Sequence, residues 1–311
     1  MARFLVFGSV AWDRPIWLDK PLARGGRLFG FTAPDSASDL PGGRLGGAAS
    51  NAAACLTNAG HEAAVWSAVP DDRIGGLIAS RLANLGIDVS FLHPSQTVKG
   101  ATIILIEPDG ERTILFQTHE PDFDRTVRRH LKETAAEIDL ASVETYQPDG
   151  ILLRSLFSGY QKLAKLNGVC TVAHWPQSMT TSSLAADVLI GSWDDLAAAD
   201  MLDDPMSQGR KACGARLKGM IITNGKVGGE IFTSERRIPY ESPAVEQVDA
   251  TGAGDAFASG VLEALTAGAD LIEAAQHGAI WGGTSAGLRG SAESRPIATF
   301  SPWSSRAAVT T

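Results

Sequence analysis

A mostly parallel β-sheet with helices on both of its faces is the fold class this sequence predicts. Short apolar runs ending at a glycine or a polar residue recur along the chain, the mark of strands buried on both sides. Stretches of good helix formers closed by glycine separate many of them, and such alternation implies parallel pairing through crossovers. The length of 311 residues, with 44% hydrophobic and 20% charged residues, suits one large α/β domain over 1–311 rather than a disordered chain.

The first run, Phe4-Leu-Val-Phe7, reads as a buried parallel strand. Residues 12–45 break the rhythm: brief apolar stretches alternate with Gly, Pro and Asp clusters, which suits small exposed strands and turns. Ala48 to Ala59 is alanine-rich and stops at Gly60, a helix with a glycine C-cap. A strand from His61 to Val69, a helix from Ile74 to Leu85 and a strand from Asp88 to Leu92 follow. Gly100 to Glu107 and Glu111 to Phe116 flank a Pro-Asp-Gly turn, a strong hairpin signal. The excursions at about 12–45 and 97–118 are expected to join as a small sheet over one end of the domain, a natural lid.

Alternation then resumes. The pattern predicts a strand over Gly150–Leu153, a helix running to Asn167, and strands over Val169–Ala173, Asp187–Ile190 and Lys218–Thr223. A second hairpin spans Gly229–Thr233 and Arg236–Tyr240, and two helices close the domain, Gly252–Ala267 and Leu271–Leu288. Ser304 to Thr311 read as a frayed end.

The formal net charge of −8 excludes the basic footprint that sequence-independent nucleic-acid binding needs. An anion can still bind where positive potential is local, at helix N-termini and bare backbone N–H groups. Cys55, Cys170 and Cys213 are widely spaced and form no CxxC pair, so neither a zinc site nor a disulfide framework is expected. The apolar run before Gly8 is too short for a signal segment or a membrane span, which points to a cytoplasmic protein with no membrane partner.

Three stretches carry chemistry. Asp249-Ala-Thr-Gly-Ala-Gly-Asp-Ala-Phe257 opens an amphipathic helix with a turn whose glycines leave the backbone bare. A phosphate can approach the N–H groups of Gly252, Ala253 and Gly254, where the helix dipole adds about half a positive charge. Asp255 in the first turn is then placed to accept the proton of an attacking hydroxyl. The same residues also describe a plain glycine-rich turn with Thr251 as N-cap. Gly46-Gly-Ala-Ala-Ser-Asn51 sets paired glycines before a helix, and Asn51 offers a donor and an acceptor to a ligand's hydroxyls. Gly8-Ser-Val-Ala-Trp-Asp13 follows the first strand, where ligands of open parallel sheets bind, and Asp13 can accept from sugar hydroxyls. It lacks the GxGxxG spacing of a dinucleotide site.

Taken together, in this order and spacing over nearly the whole chain, the three stretches resemble the ribokinase-type (PfkB) carbohydrate kinases. The resemblance implies a ribokinase-like three-layer α/β/α sandwich with a small β lid, and ATP-dependent phosphorylation of a hydroxyl on a small sugar-like molecule. It implies Asp255 as general base and Gly252, Ala253 and Gly254 as the anion hole. Asp13, Gly47 and Asn51 match substrate contacts, and Gly46 matches the paired glycine; Gly42-Gly43 is a rival pair at the wrong distance from Asn51. Thr223, Gly225 and Gly228 match a strand-end loop along the nucleotide. Mg²⁺ is expected with ATP. Asp249 and the Thr251 carbonyl match part of a monovalent-cation site, for K⁺, seen in some members. The lid is often the family's dimer surface.

The sequence departs from the family in places. Ser192-Trp-Asp-Asp195 stands where an Asn-x-x-Glu motif is usual, so Asp195 is the carboxylate left to hold metal-bound waters. Pro70 replaces a usual glycine. Arg154-Ser155-Leu156 offers no acidic sugar contact, and His174-Trp175 is an unusual pair near the nucleotide side, readable as a mark of a different substrate or as a satisfied polar residue. A nucleoside kinase of the same fold, a sugar-binding regulator without transfer and a nicotinamide dehydrogenase are the alternatives.

Overall fold

The computed structural model describes residues 1–23, 25–31, 43–98, 101–108, 112–116, 135–175, 184–288 and 299–303. Along β1 (Arg3–Phe7) successive side chains go to opposite faces, and both faces are apolar: Phe4 and Val6 enter one buried cluster, Leu5 and Phe7 the other. This strand must therefore lie inside a sheet covered on both sides.

It does. β5 (Glu62–Pro70), β6 (Leu92–Ser95), β9 (Gly150–Leu153), β10 (Cys170–His174), β11 (Val188–Ser192) and β12 (Gly219–Thr223) join it in parallel, and the hairpin β13 (Gly229–Phe232) and β14 (Arg237–Tyr240) adds an antiparallel edge. The order is β14-β13-β12-β11-β10-β9-β1-β5-β6. Helices α1 (Ala48–Asn58), α2 (Arg73–Asn84), α6 (Ala253–Thr266) and α7 (Leu271–Ala286) pack on the face of Phe4 and Val6. The short helices α3 (Leu140–Tyr146), α4 (Trp193–Ala198) and α5 (Pro205–Cys213) cover the face of Leu5 and Phe7.

A second sheet stands apart, built from the expected excursions: β2 (Ala11–Leu18), β3 (Gly30–Phe31), β4 (Arg44–Gly46), β7 (Ala101–Ile106) and β8 (Arg112–Phe116), with β2 at its middle. β7 and β8 form the expected antiparallel hairpin. The tip of its turn, Gly42, Gly100 and the expected frayed end at 304–311 lie outside the described residues.

Two expectations need correction. The helix running to Asn167 is only a 3₁₀ turn, Tyr160–Lys165, bounded by Gly159 and Gly168 at positive φ, and only Leu163 of it is buried. With a single apolar anchor there is no stripe to hold a longer helix against the sheet. The strand placed at Asp88–Leu92 begins only at Leu92: the Asp88 carboxylate accepts from the Ser90 N–H at 2.8 Å, closing an Asx turn, so Asp88 makes a lone bridge to Ala64 before pairing resumes. The three short helices were not foreseen, although each carries its own start signal, Asp139, Ser192 and Asp204-Pro205.

Candidate active site

Parallel strands bring their carboxyl ends to one side. Gly8 follows β1, Arg154 follows β9, His174 ends β10, Ser192 ends β11 and Thr223 ends β12.

The glycine-rich turn is open. Gly252 is the N-cap of α6, at φ 76°, a conformation that costs a residue with a Cβ about 1 kcal/mol. It offers no side-chain cap, so the expectation of Thr251 as N-cap is corrected; Thr251 instead donates its N–H to Asp249 Oδ1 at 2.9 Å. The Ala253 N–H turns back to the Ala250 carbonyl at 3.2 Å, whereas the N–H groups of Gly252, Gly254 and Asp255 have no acceptor among the described residues. A side chain built at Gly254 would meet only open space. Unspent donors at the positive end of a 14-residue helix have the chemistry to receive an anion.

Asp255 points from this first turn into a buried polar cluster and is 8% exposed. Its Oδ2 accepts from Asn51 Nδ2 at 2.9 Å, and its Oδ1 pairs with Arg154 Nη2 at 2.8 Å. The glycine before α1 permits this approach: Gly47 lies at φ 94°, and a Cβ there would stand 2.4 Å from the Ser9 carbonyl. Gly46 is equally constrained, because a Cβ on it would sit 1.9 Å from Asp13 Oδ2. Asp13 and Gly46 therefore approach each other diagonally across the β2–β4 pair, in which Asp13 lies opposite Arg44 and Gly46 opposite Ala11. Gly43, of the rival pair, packs against the Trp12 indole instead.

A cleft of about 700 Å³ lies on the far side of the glycine turn, lined by Thr223, Gly225, Gly228, Tyr240, Phe257 and Gly283 among others. Three of these were expected from the strand-end loop. Tyr240, Phe257 and the Gly282-Gly283 step of α7 were not; the adjacent glycines inside a helix were the available signal. Ser192 and Asp195 form a reciprocal capping box at the start of α4: Ser192 Oγ accepts from the Asp195 N–H at 3.0 Å, and Asp195 Oδ2 accepts from the Ser192 N–H at 3.2 Å. The Asp195 side chain is 44% exposed, and no hydrogen bond to its Oδ1 is seen among the described residues, so a carboxylate oxygen is left that could reach waters of a metal. Among the described residues no group of three His, Cys, Asp or Glu side chains is placed to hold a metal by itself.

The family model for pfkB family carbohydrate kinases matches residues 42–298. The chain belongs to this family. A ribose-1-phosphate kinase described as ATP-dependent, from Halopiger xanaduensis, is 26% identical over 314 residues, covering 96% of each chain. A probable fructokinase from Arabidopsis thaliana is 27% identical, covering 73% of this chain and 72% of its own. The crystal structure of a ribokinase from Thermotoga maritima shares the fold, with a TM-score of 0.73 at 18% identity over 96% of this chain and 97% of that one. The regulator and dehydrogenase alternatives fall with this assignment.

Within this carbohydrate kinase two residues of the site escaped the sequence reading of their roles. Arg154 stands where no acidic sugar contact was found, and it pairs with the expected base. His174 accepts from Arg154 Nη1 at 3.0 Å, with its Nε2 3.9 Å from Asp195 Oδ2. Burial, with the neighbouring Arg154 charge, pushes His174 down to about 4 against the opposing pull of Asp195, so the ring is neutral at pH 7. An arginine after one strand and a histidine ending the next were legible as parallel neighbours, but nothing in the sequence announced that they touch. Among the described residues no helix is long and apolar enough to cross a membrane.

Proposed function

We propose that this kinase transfers the γ-phosphate of ATP to a hydroxyl of a small sugar or nucleoside, with Asp255 as general base. The observation that carries the reading is the juxtaposition at the start of α6: a carboxylate fixed by Asn51 and Arg154 beside an open turn of unspent N–H groups. Gly252, Ala253 and Gly254 form the anion hole in this reading, with the donors of Gly252, Gly254 and Asp255 the ones left for the transferred phosphoryl group.

ATP lies in the cleft along Thr223, Gly225 and Gly228, and its terminal phosphate reaches the glycine turn. The acceptor lies between Asp13, Gly46, Gly47 and Asn51, beneath the second sheet, which acts as a lid and excludes water. Asp255 takes the hydroxyl proton as the oxygen attacks in line. Asp195 would hold waters of a Mg²⁺ accompanying ATP, and that ion would supply charge neutralisation; Asp249 and the Thr251 carbonyl would be the candidates for K⁺. Phe29, Phe31, Ile114 and Leu115 leave the second sheet apolar and exposed, which supports a homodimer through this lid. Sedimentation at micromolar concentration tests it, and a monomer there refutes it.

A panel of ribose, fructose, ribose 1-phosphate, ketodeoxygluconate and adenosine in a coupled ADP-release assay, with and without K⁺, tests the function. At least one acceptor should drive ADP release above the background without acceptor. Equal release with and without every acceptor contradicts transfer to this class of molecule.

A further inference from the structure

Asp255 does not stand alone. Its Oδ1 meets Arg154 Nη2 at 2.8 Å, and the other terminal nitrogen of the same guanidinium, Nη1, meets His174 Nδ1 at 3.0 Å. Arg154 and His174 come from the ends of β9 and β10, adjacent parallel strands whose register places Leu153 beside Ala173. The guanidinium is therefore held at two of its corners by groups from different elements, and it is largely buried, with the side chain 13% exposed. Its main chain is fixed too: the N–H groups of Arg154 and Ser155 both donate to the Phe7 carbonyl, at 2.7 and 3.2 Å.

The chemistry of this contact fixes the state of the histidine. A guanidinium has only donors, so Nδ1 must be the acceptor and the ring proton must sit on Nε2, on the side of Asp195. An acceptor at this one place restrains a flexible, three-carbon arginine stem that otherwise has many rotamers. A planar fork held at one prong presents the other prong in a defined direction, here onto the Asp255 carboxylate.

We propose that His174 is a positioning residue, which holds Arg154 against Asp255 and through it fixes the orientation of the base. The unusual histidine is then part of the catalytic apparatus of this kinase without touching its substrates. The proposal rests on the reading of Asp255 as base.

The test compares His174→Asn, whose side-chain oxygen stands in for Nδ1, with His174→Phe, which keeps the ring and loses the acceptor. His174→Gln serves as a second variant: it stays polar but puts its acceptor at the Nε2 position. Turnover is measured with whichever acceptor of the panel is used, and the guanidinium signals of Arg154 are followed by ¹⁵N NMR on the full chain. The expected result is kcat lowered about tenfold in the Phe and Gln variants, the scale of a misplaced reacting group, with KM for ATP within about twofold of wild type. The Asn variant should stay within about threefold of wild type in kcat. Separate, slowly exchanging Nη signals of Arg154 should persist in wild type and the Asn variant and average in the other two. Wild-type kcat in the Phe variant, loss in Asn as deep as in Phe, or Nη signals that stay separate in the Phe and Gln variants overturns the proposal. Asp255→Asn is run in parallel: if it keeps turnover, the base assignment fails; if it loses turnover while His174→Phe does not, only the positioning role fails.

Discussion

Replacing Arg154 by leucine should destabilise this kinase far more than the loss of one surface charge. The Arg154 and Asp255 side chains are 13% and 10% exposed, so their 2.8 Å pair is out of bulk solvent, and its removal leaves the Asp255 carboxylate buried with the Asn51 amide as its remaining partner among the described residues. Breaking a buried pair from one side costs about 3–5 kcal/mol, because the surviving charge keeps its desolvation penalty. Asp255→Asn removes the charge but keeps a carbonyl oxygen for Arg154, and Asn51 can turn its own amide to match, so about 1–2 kcal/mol is expected. In the double variant no charge is stranded, and its cost should fall short of the sum by at least about 2 kcal/mol. Urea unfolding of the four proteins at pH 7, with matched m-values, measures this coupling. Costs that add to within about 0.5 kcal/mol would mean the two groups do not share a buried environment, and the geometry assigned to the base would be wrong.

Other outcomes follow from the same geometry. Gly254→Glu places its Cβ where no atom lies within 4 Å and adds a carboxylate at a helix start, so thermal stability should hold or rise while ATP binding weakens at least about tenfold through like-charge repulsion; calorimetric titration with ATP reads it, and unchanged affinity contradicts an anion site there. Asp13→Ala should raise the acceptor's KM by about 10- to 100-fold with little change in KM for ATP, and Gly46→Ala, whose Cβ collides with Asp13 Oδ2, should do the same; a Gly46→Ala enzyme with normal acceptor KM removes Asp13 from the pocket. Glu263 gives a pH dependence remote from the site. Burial pushes its carboxyl up, but the His277 and His61 rings, at 3.1 and 3.3 Å, and the hydrogen bond from the Trp303 N–H together outweigh this and hold it at about 2, below its ordinary 4.5. Because the folded value is the lower one, this stabilisation is complete above pH 4.5 and is lost as the pH falls toward 2. Glu263→Gln should flatten the stability profile across that window in acid-unfolding curves, and an unchanged slope refutes the role.

The central sheet was legible because its strands are apolar on both faces, as Phe4 to Phe7 are, and short enough to be told from helices. The glycine turn at Gly252 was legible for a different reason: bare backbone ahead of an amphipathic helix has few uses. What remained hidden depends on contacts between distant segments. Asn51 and Asp255 are 204 residues apart and touch through one hydrogen bond, and spacing alone does not announce such a contact. Arg154 was read only for the acid it lacked. The capping box of Ser192 and Asp195 is visible as a local pattern, yet the two residues were compared only with a metal-linked motif and not read as a helix start. The helix expected before Asn167 failed because propensity without an apolar stripe does not hold a helix to a sheet.

The proposed phosphoryl transfer depends most on Asp255. Single-turnover kinetics of Asp255→Asn with ATP and an accepted acceptor, beside calorimetric ATP binding, addresses it most directly. Phosphoryl transfer slower by at least about a hundredfold, with ATP affinity held within a few-fold, is the predicted result. Transfer at the wild-type rate would contradict it.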